Sequence, residues 1–156
     1  MSSGENENLN DSSKVPMNRD WRRPDINCDM GEGTANDEAI MPFITSANIA
    51  CGYHAGDEDT MKRTVELAMK YNVFIGAHPS YSDRENFGRI DIQLPLSEVY
   101  DLVTKQIHLL REITKTAGAS LHHVKPTQTL VKPVFLLMLT FFKFFLKLKI
   151  CPWVGS

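Results

Sequence analysis

The chain has 156 residues, enough for one ordinary domain with a buried core. Hydrophobic residues make up 42% and charged residues 23%, the balance of a globular protein rather than a disordered one. A formal net charge of −2, with no interleaved basic and aromatic surface, gives no reason to expect a nucleic-acid partner.

Residues 1–24 are rich in Ser, Asn, Glu and Asp and offer almost nothing to bury, so they read as a disordered leader. Trp21, set among arginines, either docks on the domain or is a lone exposed aromatic in a tail; the second is the simpler reading. No apolar core follows Met1, which argues against a secretory signal. The three cysteines, Cys28, Cys51 and Cys151, lack metal-type spacing and read as reduced thiols of a cytoplasmic chain.

Residues 25–30 form a short strand candidate, followed by a turn at Gly31-Glu-Gly33. Asn36 and Asp37 can cap a helix over 38–43, which Pro42 must kink or end. Residues 46–51 are a second, small and apolar strand. It breaks at Gly52, shows His54, and breaks again at Gly56. Asp57 or Thr60 then caps a helix in which Met61, Val65, Ala68 and Met69 share a face, ending near Asn72. Residues 73–77 are a continuous apolar run of the kind a parallel sheet buries on both faces. A polar loop follows His78-Pro79. Ser97 is placed to cap the longest helix, with Val99, Leu102, Val103, Gln106, Ile107, Leu110 and Ile113 on one face. Residues 119–125 return as a fourth strand before Pro126.

Alternating strands and helices with short connections predict an α/β fold with a parallel sheet and right-handed crossovers. Asp29, His54, His78 and Lys125 each follow an apolar run and precede a loop. In a parallel sheet or barrel these carboxyl ends face one rim, so the four ionisable groups converge on one mouth. His122 and His123 alternate along the strand, which allows only one of them to face the interior. The apolar run 134–150 shows neither strand alternation nor a clean amphipathic face. It is slightly short for a membrane span and contains Lys143, so a membrane role is not the expected one.

Each rim residue also has a plain structural reading. Asp29 serves as general base or metal ligand, or caps the turn before Gly31. His54 and His78 are site groups, or loop histidines. Lys125 neutralises an oxyanion, a phosphate or a substrate carboxylate, or is a surface lysine. Asp29, His54 and His78 together have the composition of a divalent metal site, though their long-range spacing does not itself specify one. Gly31-Glu-Gly33 lacks the lysine and spacing of a phosphate-binding loop.

Asn27-Cys-Asp-Met-Gly-Glu32, Thr45-Ser-Ala-Asn-Ile-Ala-Cys-Gly-Tyr-His-Ala-Gly-Asp57, Ile75-Gly-Ala-His-Pro-Ser-Tyr81, Phe87-Gly-Arg89 and His123-Val-Lys-Pro126 resemble, in order and spacing, the LamB/YcsF lactam-utilisation family, the A component of 5-oxoprolinase. The resemblance covers about residues 25–126. It implies a β/α barrel related to the glycoside hydrolase/deacetylase superfamily, and ATP-dependent opening of the lactam 5-oxoproline to glutamate together with subunits B and C. The family's polar positions fall on Asp29, Glu32, Asn48, His54, Asp57, His78, Arg89, His123 and Lys125. The catalytic role is expected of Asp29, His54, His78 and Lys125, and substrate binding of Asn48, Asp57, Arg89 and His123. ATP is implied by the resemblance alone, and a divalent metal is an option.

The chain departs from the family pattern in two places. Only Gly33-Thr-Ala-Asn36 separates Glu32 from Asp37, where the family has a longer segment. After Pro126 the family continues His-Gly-Ala-Leu-Tyr, whereas this chain has Thr127-Gln-Thr-Leu-Val131 and then the apolar run. Such barrels take about 250 residues. The expectation is therefore a partial barrel, truncated after the fourth strand, with a divergent tail over 127–156. The alternative to an enzyme is a non-catalytic fragment acting as an interaction or membrane-associated remnant.

Overall fold

The computed structural model describes residues 24–140. The expected leader up to residue 23, Trp21, Cys151 and the apolar run from residue 141 lie outside the described residues.

Four parallel strands form one sheet: β1 (Asn27–Met30), β2 (Ser46–Ala50), β3 (Phe74–His78) and β4 (Leu121–Val124), hydrogen-bonded in the order β1-β2-β3-β4. Helices connect them: α1 (Asp37–Ile40), which runs into a 3-10 turn at Met41–Phe43, then α2 (Glu58–Lys70) and α3 (Leu96–Thr116). A fourth helix, α4 (Gln128–Thr140), follows β4. A doubly wound sheet reverses its strand order at a switch point; this one never does, which is the winding of a β/α barrel.

The two faces of the sheet have opposite chemistry. Met30, Ala47, Ile49, Cys51, Ile75, Ala77 and Val124 form the apolar face. Met61, Val65 and Ala68 of α2 join them in the core, with Val99, Val103, Ile107, Leu110 and Ile113 of α3. Leu130, Val134 and Leu137 of α4 complete it, a buried stripe at helical spacing. That stripe begins at Leu130, ahead of the apolar run over 134–150. Burying Leu130 and Leu137 is worth roughly 1.5–3 kcal/mol each. Among the described residues no helix is long and apolar enough to cross a membrane.

Asp57 caps α2 as expected, its Oδ1 accepting from Thr60 N at 2.7 Å. Two other expected caps are absent. Asn36 makes no side-chain cap at α1; Asp37 instead accepts from Gly31 N at 2.8 Å and ties the turn after β1 to the helix start. Ser97 lies inside the first turn of α3, which begins at Leu96. Pro95, with φ fixed at −54°, presets that turn, and its carbonyl accepts from Glu98 and Val99 N–H.

Gln106 interrupts the apolar face of α3 and is fully buried. Its Oε1 accepts from Ser80 N at 3.0 Å, and its Nε2 donates to Ser80 O at 2.8 Å and Leu102 O at 3.1 Å. The polar residue thus satisfies both backbone groups of Ser80 in the loop after β3. Gln106→Leu would leave the buried Ser80 N–H and C=O unpaired, a cost of about 3 kcal/mol. Urea unfolding should show that loss; a change below about 0.5 kcal/mol would mean the clasp contributes nothing.

Candidate active site at the carboxyl ends of the strands

The polar face of the sheet is a hydrogen-bonded layer centred on Asn48. Register pairs Asp29 with Asn48, and Asn48 with Gly76. Asn48 is buried, and its Nδ2 donates to Asp29 Oδ1 at 2.9 Å and Asn27 Oδ1 at 3.0 Å. Its Oδ1 accepts from His123 Nε2 at 2.8 Å. Since the amide donates on one side and accepts on the other, His123 must carry its proton on Nε2. His123 reaches Asn48 by lying across β3 at Gly76, where any Cβ would overlap the imidazole.

The expectation that only one of His122 and His123 faces inward is corrected by a β-bulge. The β3–β4 register passes from Ile75↔Leu121 to Gly76↔His123, so an extra residue sits on β4. His122 packs on Phe74, with ring centroids 4.6 Å apart, and its Nδ1 lies 3.2 Å from that of His123. Phe74 shares the Gly76 and His78 side of β3, so both histidines lie on the polar face.

At the rim, Lys125 Nζ donates to Asp29 Oδ1 at 2.7 Å and Oδ2 at 2.9 Å. Burial works against ionisation of Asp29, but the neighbouring His78, Lys125 and Asn48 outweigh it and hold the carboxyl below its usual range. His78 is held below the usual imidazole value, chiefly by burial, with Asp29 opposing. His78 is therefore neutral near pH 7, where Lys125 and Asn48 do most of the work on Asp29.

His78 Nδ1 donates to the Lys125 carbonyl, which can only accept. Its Nε2 lone pair then faces Asp29 Oδ2 at 3.7 Å and Glu32 Oε1 at 4.0 Å. Acceptor faces acceptor at distances too long for a hydrogen bond, an arrangement that a cation completes. The carbonyl-bound Nδ1–H is also the usual support of a metal-ligating histidine. His54 packs edge-on against His78, its Nε2 3.2 Å from Glu32 Oε1. Its Nδ1 is buried with no hydrogen-bond partner among the described residues. Donor atoms of Glu32, His54 and His78 all lie within 4.8 Å of one another and could hold a divalent cation. Glu32, rather than the expected Asp29, closes this group; the Asp29 carboxylate is paired with Lys125.

The remaining expected residues fall elsewhere. The Asp57 carboxylate is committed to the α2 cap, although the residue lines a cleft of about 300 Å³ with Glu32, His54 and Thr60. Arg89 is exposed on the loop after β3, and its side chain has no hydrogen bond or ion pair among the described residues. Cys51 is buried and its thiol pushed up to about 12 by that burial, an unreactive core group. Arg84 and the Ser80–Thr127 contact carried no sequence signal. Arg84 Nη2 donates to Gly52 O at 2.7 Å and Gly56 O at 2.6 Å, fixing the loop that presents His54. Thr127 Oγ1 donates to Ser80 Oγ at 3.1 Å, and Thr129 Oγ1 to Gly88 O at 2.7 Å.

A model of the LamB/YcsF family matches residues 24–135. This chain belongs to the LamB/YcsF family. The match runs past Pro126 into α4, the helix that completes the core. A crystal structure described as a lactam utilization protein from Thermus thermophilus is similar at 35% sequence identity with a TM-score of 0.67. The similarity covers 75% of this chain and 53% of that one, so this LamB/YcsF chain spans about half the length of that protein.

Two measurements probe the site. Unfolded imidazole, near 6.5, binds a proton more readily than folded His78 does. Stability should therefore fall as pH drops through and below about 6.5, and be free of this contribution above it. His78→Asn should flatten that part of the urea-unfolding pH profile; an unchanged profile would place the acid sensitivity elsewhere. Separately, calorimetric titration with Zn²⁺ should show one site, weakened more than about 100-fold by Glu32→Gln or His78→Ala. Asp29→Asn should weaken it far less, and an equal loss would return Asp29 to the ligand set.

Proposed function

We propose that this chain acts in the hydrolytic opening of a lactam of the 5-oxoproline class to the open-chain amino acid, in the role of the A component of 5-oxoprolinase. The observation that carries this reading is the meeting, at one mouth, of the Asp29–Lys125 pair with Glu32, His54 and His78. Family membership and the likeness to a lactam utilization protein support the substrate class.

A lactam is a resonance-stabilised amide, so its opening requires charge stabilisation on the carbonyl oxygen and a proton for the departing nitrogen. A divalent cation held by Glu32, His54 and His78 would supply Lewis-acid polarisation of the carbonyl. Asp29, kept ionised by Lys125 and Asn48, accepts a proton from the attacking water and returns it to the departing nitrogen as the C–N bond breaks. The Lys125 ammonium stabilises negative charge developing on the substrate. Neutral His78, its Nδ1–H fixed by the Lys125 carbonyl, keeps its Nε2 lone pair aimed at the position the cation would take. Asn48 and His123 act in this reading as supports that aim Asp29, rather than as direct substrate contacts.

The family resemblance couples this reaction to ATP hydrolysis with subunits B and C. No phosphate-binding loop occurs among the described residues, so ATP use belongs in this reading to the assembly. The test is 5-oxoproline-dependent ADP release by this chain with those two partners. Asp29→Asn should lower kcat by about 10²–10⁴-fold while far-ultraviolet circular dichroism stays unchanged. A variant with undiminished kcat would remove Asp29 from the chemistry.

A further inference from the structure

The cleft beside His54 has a cationic wall that the proposed reaction does not use. Glu32, His54, Asp57, Thr60, Arg84 and Phe87 line it. Its volume, about 300 Å³, is enough for a small ring. Of its two acids, Asp57 is committed to the α2 N-terminus and Glu32 is turned to His54. Arg84 is the cation of the lining.

Arg84 is held in place before any ligand arrives. Both of its hydrogen bonds leave from Nη2, to the carbonyls of Gly52 and Gly56 on either side of His54. Among the described residues Nε and Nη1 make none, so a charged fork with donors to spare is fixed beside the histidine. Phe87 adds the apolar half. It is nearly half exposed and holds a left-handed backbone, φ 55°, that a bulky residue rarely adopts. Gly88 enforces that turn, packed so closely on Ser80 and His54 that no side chain fits there, with its carbonyl tied to Thr129. These contacts hold the turn that presents Phe87 at the cleft.

We infer that Arg84 is the specificity-determining residue that pairs with the carboxylate of the lactam acid, with Phe87 covering its ring. The inference rests on the lactam reading and adds the group that separates an acidic lactam from a neutral one. A carboxylate seated on Arg84 directs the ring towards His54 and Glu32, which line the same cleft.

The test compares two probes on the full chain by isothermal titration: 5-oxoproline, and 2-pyrrolidinone, the same ring without the carboxylate. Arg84→Gln should weaken 5-oxoproline by about 10- to 100-fold and leave 2-pyrrolidinone within about twofold. Retained binding of the neutral ring shows that the variant is folded. Equal weakening of both probes would reduce Arg84 to a clamp on the 52–56 loop and overturn the inference, as would unchanged binding of both. A wild-type chain that binds neither probe would overturn the lactam reading itself.

Discussion

The hydrogen bonds of one carboxamide organise the polar side of this sheet. Asn48 donates to Asp29 and accepts from His123, so the amide cannot rotate without losing both. It is buried in the middle of β2, where an unpaired amide would be expensive. Its position fixes the direction of Asp29, and Asp29 in turn receives Lys125 from the end of β4. The strands are thereby tied by side chains as well as by backbone, and the ties fall where charges must be held in register.

That arrangement depends on a division of labour between the faces. The apolar face gains its stability from α2, α3 and α4 and asks nothing of the polar one. The polar face can then carry carboxylates, imidazoles and an ammonium, most of them held by neighbours, while His54 Nδ1 and His78 Nε2 are left without a hydrogen bond among the described residues. Gln106 and Ser80 extend the same pattern to the loop after β3, where a helix side chain replaces missing backbone partners.

Much of this was legible in the residues. Apolar periodicity and short connections give the parallel alternation, because strand and helix periods differ so clearly between 46–51 and 61–69. The convergence of Asp29, His78 and Lys125 follows from topology alone, since all parallel strands end on one side. Contacts that depend on exact geometry were not legible. A bulge changes the facing of His122 by one residue, and no composition signals it. Glu32 stood out as a polar position of the family pattern, but its place beside His54 and His78 did not. Ser97 has the right chemistry for a cap, but Pro95 had already started the helix. The α4 stripe was hidden because a long aromatic run swamps the period of Leu130, Val134 and Leu137.

Lys125 contributes to the rim in two chemically independent ways. Its ammonium holds Asp29, while its carbonyl sets the tautomer of His78. The first depends on the identity of the side chain; the second is available to any residue on this backbone. A change of residue at position 125 would therefore strip the site of its charge partner and still leave His78 aimed. The imidazole's orientation is inherited from the main chain, so it can persist in chains whose charge pair has drifted, and the two halves of the site are free to evolve at different rates.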